Sequence, residues 1–228
     1  MPNNIPLLPD ETLDVIEDIR IIQKKKGHRF TTDSILLARH SSPKRYTKVL
    51  ELGTGCGVVS MLLARMDPAI RITAVEIQKE VAEMAIRNVR LNNMESRITI
   101  LNRDIKDLPG ILPSSNFDYI ITNPPYRSPD AGRTSPVRER AIAGQEFAVT
   151  IGDIMKVSQY LLKIKGRLSL VYAAERLVDL FSEMRNYRIE PKKLIFIPTR
   201  KDGEVRPVWV EGVREGKPGI KIFVSDLT

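Results

Sequence analysis

The sequence predicts an α/β fold: a mostly parallel, seven-stranded sheet with helices on both faces and an antiparallel hairpin at one edge. Three observations carry this. From residue 48 onward, short runs rich in Val, Ile and Leu alternate with helical stretches, a pattern of parallel strands joined by right-handed crossovers. A glycine-rich turn, Gly53 to Gly57, separates the first of those strands from the first of those helices. The chain has 228 residues, no internal repeat and no shift in composition, which fits one domain with a large core.

The elements follow in order. Met1 to Leu8 is proline-rich and expected to be loose. Asp10 to Ile16 reads as a short helical turn. Ile19 to Gln23 reads as a strand, with Lys24 to Gly27 as its turn. Phe30 to Ser34 leads into a helix at Ile35 to Ala38, with a Thr or Asp as N-cap, and Ser41-Ser42-Pro43 stops it. Lys48–Leu52, Arg71–Glu76, Arg97–Leu101 and Phe117–Thr122 are strands. Val58–Met66 and Lys79–Asn93 are the intervening helices, the second with Val81, Met84, Ala85, Ile86, Val89 and Leu91 as its apolar side. Arg127 to Gly144 is too long for a routine connection, so it is a functional loop, a candidate lid, or disordered. A helix at Ile151–Lys163, a strand at Arg167–Tyr172, a helix at Glu175–Arg185 and a strand at Lys193–Pro198 follow. Val205–Val213 and Ile220–Val224 read as a closing hairpin.

Composition narrows the partners. There are 36 Lys and Arg against 28 Asp and Glu, a net charge of +8. That excess suits a polyanion, nucleic acid first, although generic solubility explains it equally well. Arg20 to Arg29 holds five basic residues and no acid. The single cysteine, Cys56, excludes an internal disulfide framework and fits a reducing compartment. The first thirty residues have no apolar core of signal-peptide type, and no stretch is long enough to span a bilayer, so the expectation is a cytoplasmic protein with no membrane partner.

Glu51-Leu52-Gly53-Thr54-Gly55-Cys56-Gly57 lies between strand and helix, where glycines let backbone approach a ligand. A dinucleotide fingerprint would need glycine at position 58, which is Val58, and no Gly-Lys-Ser/Thr of a phosphate loop follows. Glu76 ends the next strand, where an acid commonly accepts from ribose hydroxyls. Asp104, just past the third strand, either meets an adenine edge or is a strand-end charge. Together these describe a pocket for a nucleoside without a pyrophosphate, which S-adenosylmethionine fits.

The fourth strand ends abruptly in Asn123-Pro124-Pro125-Tyr126. Neither proline can donate to a ladder, so the strand stops in a stiff shelf. The Asn123 side-chain oxygen and the Pro124 carbonyl are two acceptors aimed at one amino group. Holding both N–H bonds out of the ring plane favours the sp3-like geometry a planar amine needs to become a nucleophile. The methyl then passes in line from a sulfonium, with no metal required. Tyr126 can stack on the target ring.

These residues resemble the class I S-adenosylmethionine-dependent methyltransferases that act on exocyclic or amide nitrogens, whose fold is Rossmann-like. The stretch Ile22-Gln23 through Gly27-His28-Arg29-Phe30-Thr31-Thr32-Asp33-Ser34-Ile35-Leu36-Leu37-Ala38 and the run Val210-Glu211-Gly212-Val213-Arg214-Glu215-Gly216-Lys217-Pro218-Gly219-Ile220 are similar to the bacterial tRNA(Val) adenine-N6 methyltransferase family. The chain departs from it at Ala143-Gly144-Gln145-Glu146, where members often read Ala-Arg-His-Glu. The resemblance implies methylation of an adenosine beside the anticodon, with S-adenosylmethionine as cofactor and tRNA as partner. It implies a single domain over 1–228, in which 1–46 extends a Rossmann-like core at 47–228 and contributes to the cofactor pocket. Phe30, Thr32 and Asp33 would then join Glu51, Gly53, Thr54, Gly55, Gly57, Glu76, Ile77, Asp104, Ile105 and Asn123 around the cofactor. Lys24, Lys25, Lys26, Arg29, Arg127, Arg133, Arg138 and Arg140, with the basic stretch Arg185–Lys201, are expected to contact tRNA phosphates. A monomer is expected, with a dimer left open.

Other readings share the shelf. A protein glutamine-N5 methyltransferase uses the same acceptors, but such enzymes usually carry a separate helical N-terminal domain, for which the first thirty residues leave no room. Amino methylation of rRNA or DNA uses the same chemistry. A cofactor-binding RNA partner without activity is the reading from a different class.

Overall fold

A computed structural model of the chain describes residues 5–27, 29–45, 47–124, 149–198 and 205–225. The expectations for Pro125, Tyr126, Arg127, Arg133, Arg138, Arg140 and the 127–144 loop lie outside the described residues. The strands are β1 (Glu11–Ile16), β2 (Ile19–Lys24), β3 (Lys48–Leu52), β4 (Arg71–Glu76), β5 (Ile98–Asn102), β6 (Phe117–Thr122), β7 (Leu162–Ala173), β8 (Ile189–Pro198), β9 (Val205–Arg214) and β10 (Lys221–Val224). The helices are α1 (Thr32–His40), α2 (Val58–Met66), α3 (Lys79–Leu91), α4 (Ile151–Leu161) and α5 (Leu177–Asn186), with a 3-10 turn at Ile105–Gly110.

One sheet runs in the order β10-β8-β9-β7-β6-β3-β4-β5. Its central strands β7, β6, β3, β4 and β5 are parallel, and β9 is antiparallel to both β7 and β8. The chain winds from β3 outward to β5, then returns to β6 on the other side of β3. In open α/β sheets, ligands bind outside the carboxyl ends of the strands at such a reversal, here the ends of β3 and β6.

Apolar side chains alternate between the two faces. Val49, Tyr119 and Ile121 join the core under α1, α2 and α3, whereas Leu50, Leu52 and Ile120 join the core under α4 and α5. Adjacent buried positions on one strand thus serve opposite cores, as expected of a sheet covered on both faces.

The sheet differs from expectation at its edge. β10 pairs parallel with β8 rather than forming a hairpin with β9, which brings the sheet to eight strands. The reason is that β9 is paired along both sides, by β7 and by β8, so the free edge of β8 is the one left for β10. Asp10 to Ile16 also differs: Glu11–Ile16 is a strand, paired antiparallel with β2, not a helical turn. Glu17 and Asp18 both have positive φ, 48° and 69°, which makes the two-residue turn that suits a right-twisted hairpin. This separate hairpin packs outside the helical layer. Ile19, Ile21 and Ile22 are fully buried there, and Arg39 and Arg65 bond the turn acids Glu17 and Asp18.

Candidate active site

The glycine turn follows β3. Gly53, Gly55 and Gly57 have φ of 73°, 56° and 87°, a region that side chains other than glycine's rarely adopt. Gly53 N and Thr54 N both donate to Val75 O at 2.9 Å, which ties the turn to the end of β4. A Cβ on Gly53 or Gly55 would meet no atom within 4 Å, so both face open space, whereas one on Gly57 would touch Ala85 of α3 at 3.6 Å. The first two glycines therefore form a bare backbone cradle, and the third allows α3 to approach.

Glu51 lies beneath the turn, 3% exposed. It accepts from Thr54 Oγ1 at 2.8 Å, from Ser60 N at 3.1 Å and from Ser60 Oγ. Burial pushes its carboxyl up to about 7, against the pull of those donors and with a further push from Glu76. Cys56 is also buried, which raises its thiol to about 12 and leaves it protonated and inert.

Glu76 closes β4, 6% exposed. One carboxylate oxygen accepts from Gly55 N at 3.0 Å and the other from Gln78 N at 3.0 Å. A carboxylate has lone pairs for two more donors. Opposite Glu76 in the ladder, Asn102 donates from Nδ2 to Glu76 O and Ile77 O, both at 2.9 Å, and clamps the two strand ends together. Asp104 follows, half-buried; its Oδ1 accepts from Lys106 N at 2.8 Å and caps the 3-10 turn. Ile77 is half-buried beside it, and Ile105 is buried in the α4–α5 core.

The shelf begins where β6 ends. Leu52 and Thr122 are partners in the β3–β6 ladder, so Gly53 and Asn123 follow at the same level. Asn123 is half-buried and donates from Nδ2 to Ser34 Oγ at 3.2 Å. The amide oxygen, Oδ1, is an acceptor by its chemistry. Pro124 is buried. Ser34 belongs to α1, so the segment before the sheet reaches the shelf directly. Of its neighbours, Phe30 packs on the α1–α3 core, Asp33 is half-buried in the first turn of α1, and Thr32 is exposed.

The predicted phosphate contacts Lys24, Lys25 and Arg29 gather at the open end of the hairpin. Lys24 pairs with Asp10 at 2.7 Å, Lys25 Nζ donates to Pro9 O at 2.8 Å, and Arg29 reaches Asp14 at 3.4 Å. Arg20 bonds Asn92 and Ile22 bonds Asn88, so β2 runs antiparallel to α3 and this end lies towards the start of α3, the side of Glu76. Lys26 is exposed. Among the described residues no helix is long and apolar enough to cross a membrane, and no cluster of His, Cys, Asp and Glu could hold a metal.

Three residues escaped the sequence reading: Ser34, Asn102 and Asn88, the last a buried amide on α3 that donates to Cys56 O at 2.9 Å. Asn88 was detectable, since it lies in register with Met84 and Ala85 on the apolar side of α3. Ser34 and Asn102 gave no such signal.

Comparison with known proteins bears on this geometry. The family model of the methyltransferase small domain matches residues 28–188. A tRNA1(Val) (adenine(37)-N6)-methyltransferase of Porphyromonas gingivalis W83 is 29% identical over 177 residues, covering 75% of this chain and 69% of the relative. One from Glaesserella parasuis is 30% identical over 145 residues, covering 63% and 58%. Among solved structures, a predicted O-methyltransferase of Agrobacterium tumefaciens superposes with a TM-score of 0.68 at 20% identity, covering 84% of this chain and 85% of that one. TYW2 of Pyrococcus horikoshii, in complex with MeSAdo, superposes with a TM-score of 0.63 at 15% identity, covering 91% and 72%. At such identities the structures speak for the fold alone.

Proposed function

The chain belongs to the methyltransferase small domain family, and from that premise we propose that it methylates N6 of an adenosine in tRNA, beside the anticodon of a valine tRNA, using S-adenosylmethionine. The observation that carries this is the β3–β6 register, which sets the Gly53–Gly57 cradle and the Asn123-Pro124 shelf side by side.

The cradle fits the cofactor, because the open space at the Cβ positions of Gly53 and Gly55 lets a ligand meet backbone with no side chain between. When bound, S-adenosylmethionine supplies an electrophilic methyl group on a sulfonium. Glu76 would accept from the ribose hydroxyls with its remaining lone pairs, Asp104 and the backbone of Ile105 would line the adenine end, and Phe30, Thr32 and Asp33 would close the pocket from the N-terminal extension. Asn123 Oδ1 and Pro124 O each accept one hydrogen of the target amine. They draw its lone pair out of conjugation and aim it at the cradle. Both acceptors are neutral, so they hold the amine without deprotonating it; transfer would leave S-adenosylhomocysteine as the departing thioether and a cationic, acidic nitrogen, whose proton passes to water. Tyr126 stacks on the extruded base. The basic end of the hairpin, with Arg127, Arg133, Arg138 and Arg140, holds RNA phosphates. The reaction as proposed needs no metal, and the enzyme acts in the cytoplasm as a monomer.

Nucleoside mass spectrometry of valine tRNA from a strain lacking the gene tests the reading. Loss of N6-methyladenosine, restored by the gene, supports it; unchanged N6-methyladenosine contradicts it.

A further inference from the structure

Asn88 is fully buried, and each polar group of its side chain has a partner. Oδ1 accepts from Ile22 N at 2.7 Å, and Nδ2 donates to Ile22 O at 2.8 Å and to Cys56 O at 2.9 Å. One turn later, Asn92 repeats half of this pattern: Oδ1 accepts from Arg20 N at 2.9 Å and Nδ2 donates to Arg20 O at 2.7 Å. Arg20 and Ile22 are two apart on β2, so their backbone groups point to the same edge, away from β1. Two asparagines spaced i,i+4, one in α3 and one at its C-cap, thus stand in for a third strand. Without them, that inward edge of the hairpin would bury unpaired backbone groups.

They differ in their remaining contacts: Asn92 Nδ2 also donates to Asn88 O at 2.8 Å and to Met61 Sδ at 3.5 Å, within the helix layer. Asn88 alone reaches the glycine turn. β4 fixes the turn at Gly53, Thr54 and Gly55, through Val75 O and Glu76. Cys56 is held instead from α3, through its carbonyl. It lies between Gly55 and Gly57, both at positive φ, where no Cβ restrains rotation of the adjoining peptides. The peptide between Cys56 and Gly57 is thus held at both ends: its N–H donates to Thr54 O at 3.0 Å within the turn, and its carbonyl accepts from Asn88 at 2.9 Å, which ties it to α3.

We propose that Asn88 is a positioning residue for the cofactor: it fixes the conformation of the glycine turn and couples that turn to the docked β1–β2 hairpin. The inference rests on the reading that the turn holds S-adenosylmethionine. It gives the N-terminal extension a part in cofactor affinity through a hydrogen-bond relay. By reciprocity, a ligand that orders the turn must also tighten the hold on β2 at Ile22.

The test compares Asn88→Asp with Asn92→Asp. Both substitutions keep the acceptor for a β2 amide and remove the donor to a β2 carbonyl, but only the first removes the donor to Cys56. Calorimetry with S-adenosylhomocysteine is run alongside steady-state kinetics. Asn88→Asp is expected to raise the Kd and the KM for S-adenosylmethionine roughly tenfold, the worth of one hydrogen bond, with kcat at saturating cofactor little changed. Asn92→Asp is expected to leave the Kd unchanged while lowering the melting temperature comparably. Equal Kd values for the two variants would overturn the proposal. Should Asn88→Asp not fold, hydrogen exchange on the parent protein decides: S-adenosylhomocysteine should slow exchange of the Ile22 amide more than that of Arg20, and no difference would overturn the coupling. A parent that binds no S-adenosylhomocysteine would overturn the cofactor reading itself, whereas a parent that binds it while the variants match one another overturns the role of Asn88 alone.

Discussion

Thr122 donates its hydroxyl to the carbonyl of Leu52 at 2.9 Å, at the last paired rung between β6 and β3. Beyond it neither strand can continue: one enters the left-handed backbone of Gly53 and the other meets Pro124. The two halves of the proposed site therefore diverge from one fixed point. Their spacing is a property of the sheet rather than of a loop, as sites built on rigid elements require.

Asn123→Ala tests the shelf. The acceptor for the amine is lost while the cradle stays intact, so kcat should fall roughly 10²–10³-fold, as for loss of one preorganised polar partner. Calorimetry with S-adenosylhomocysteine should give a Kd that changes far less than kcat, because Glu76 and the glycine cradle remain. Turnover equal to the parent's would remove Asn123 from the reaction.

Glu76→Gln tests the ribose site. The substitution turns an acceptor of the Gly55 N–H into an amide whose NH2 group competes for that position. Cofactor affinity should drop roughly tenfold or more, and a Kd within the error of the parent value would remove Glu76 from the pocket.

Glu51 makes stability depend on pH. Its carboxyl titrates near 4.5 when unfolded and about 7 when folded, chiefly because it is buried. The folded state binds the proton more tightly, so this group favours folding below the unfolded value and that advantage is lost as pH rises towards 7. The loss is on the order of 3 kcal/mol at most. Melting curves of Glu51→Gln should be flatter than the parent's between pH 5 and pH 7. A parallel pair of curves would show that Glu51 stays ionised throughout.

Much of the fold was legible, for a definite reason. β3, β4, β6, α2 and the start of α3 are set by local apolar patterning and by the glycines and prolines between them, and they lie where the sequence places them. What escaped depends on partners far along the chain. β1 is a strand because β2 pairs with it, and β10 joins β8 because β9 has no free edge. Ser34 matters because Asn123 lies 89 residues away in sequence and in contact in space. Asn88 shows the intermediate case: a polar residue at an apolar position announces that it has a buried partner, but not which one.

The basic end of the hairpin carries a prediction about RNA. Charge-reversal or neutralisation at Lys24, Lys25, Lys26 and Arg29 should weaken tRNA binding. It should also reduce the salt dependence of the affinity by roughly one unit of slope for each phosphate that is no longer neutralised. Lys24 and Arg29 already pair with Asp10 and Asp14, but such exposed pairs are weak and exchange readily for phosphate. Filter binding across a salt series checks this, and an unaltered slope assigns these residues to solvated surface.

The central claim is methyl transfer to N6 of a tRNA adenosine, and reconstitution measures it most directly. Purified protein is incubated with S-adenosylmethionine and unmodified valine tRNA, and the digested nucleosides are analysed by mass spectrometry. The expected product is N6-methyladenosine with the parent protein, and roughly a hundredfold less or lower with Asn123→Ala at equal time. No methyl transfer to this or any other tRNA by the folded, cofactor-binding parent would contradict it.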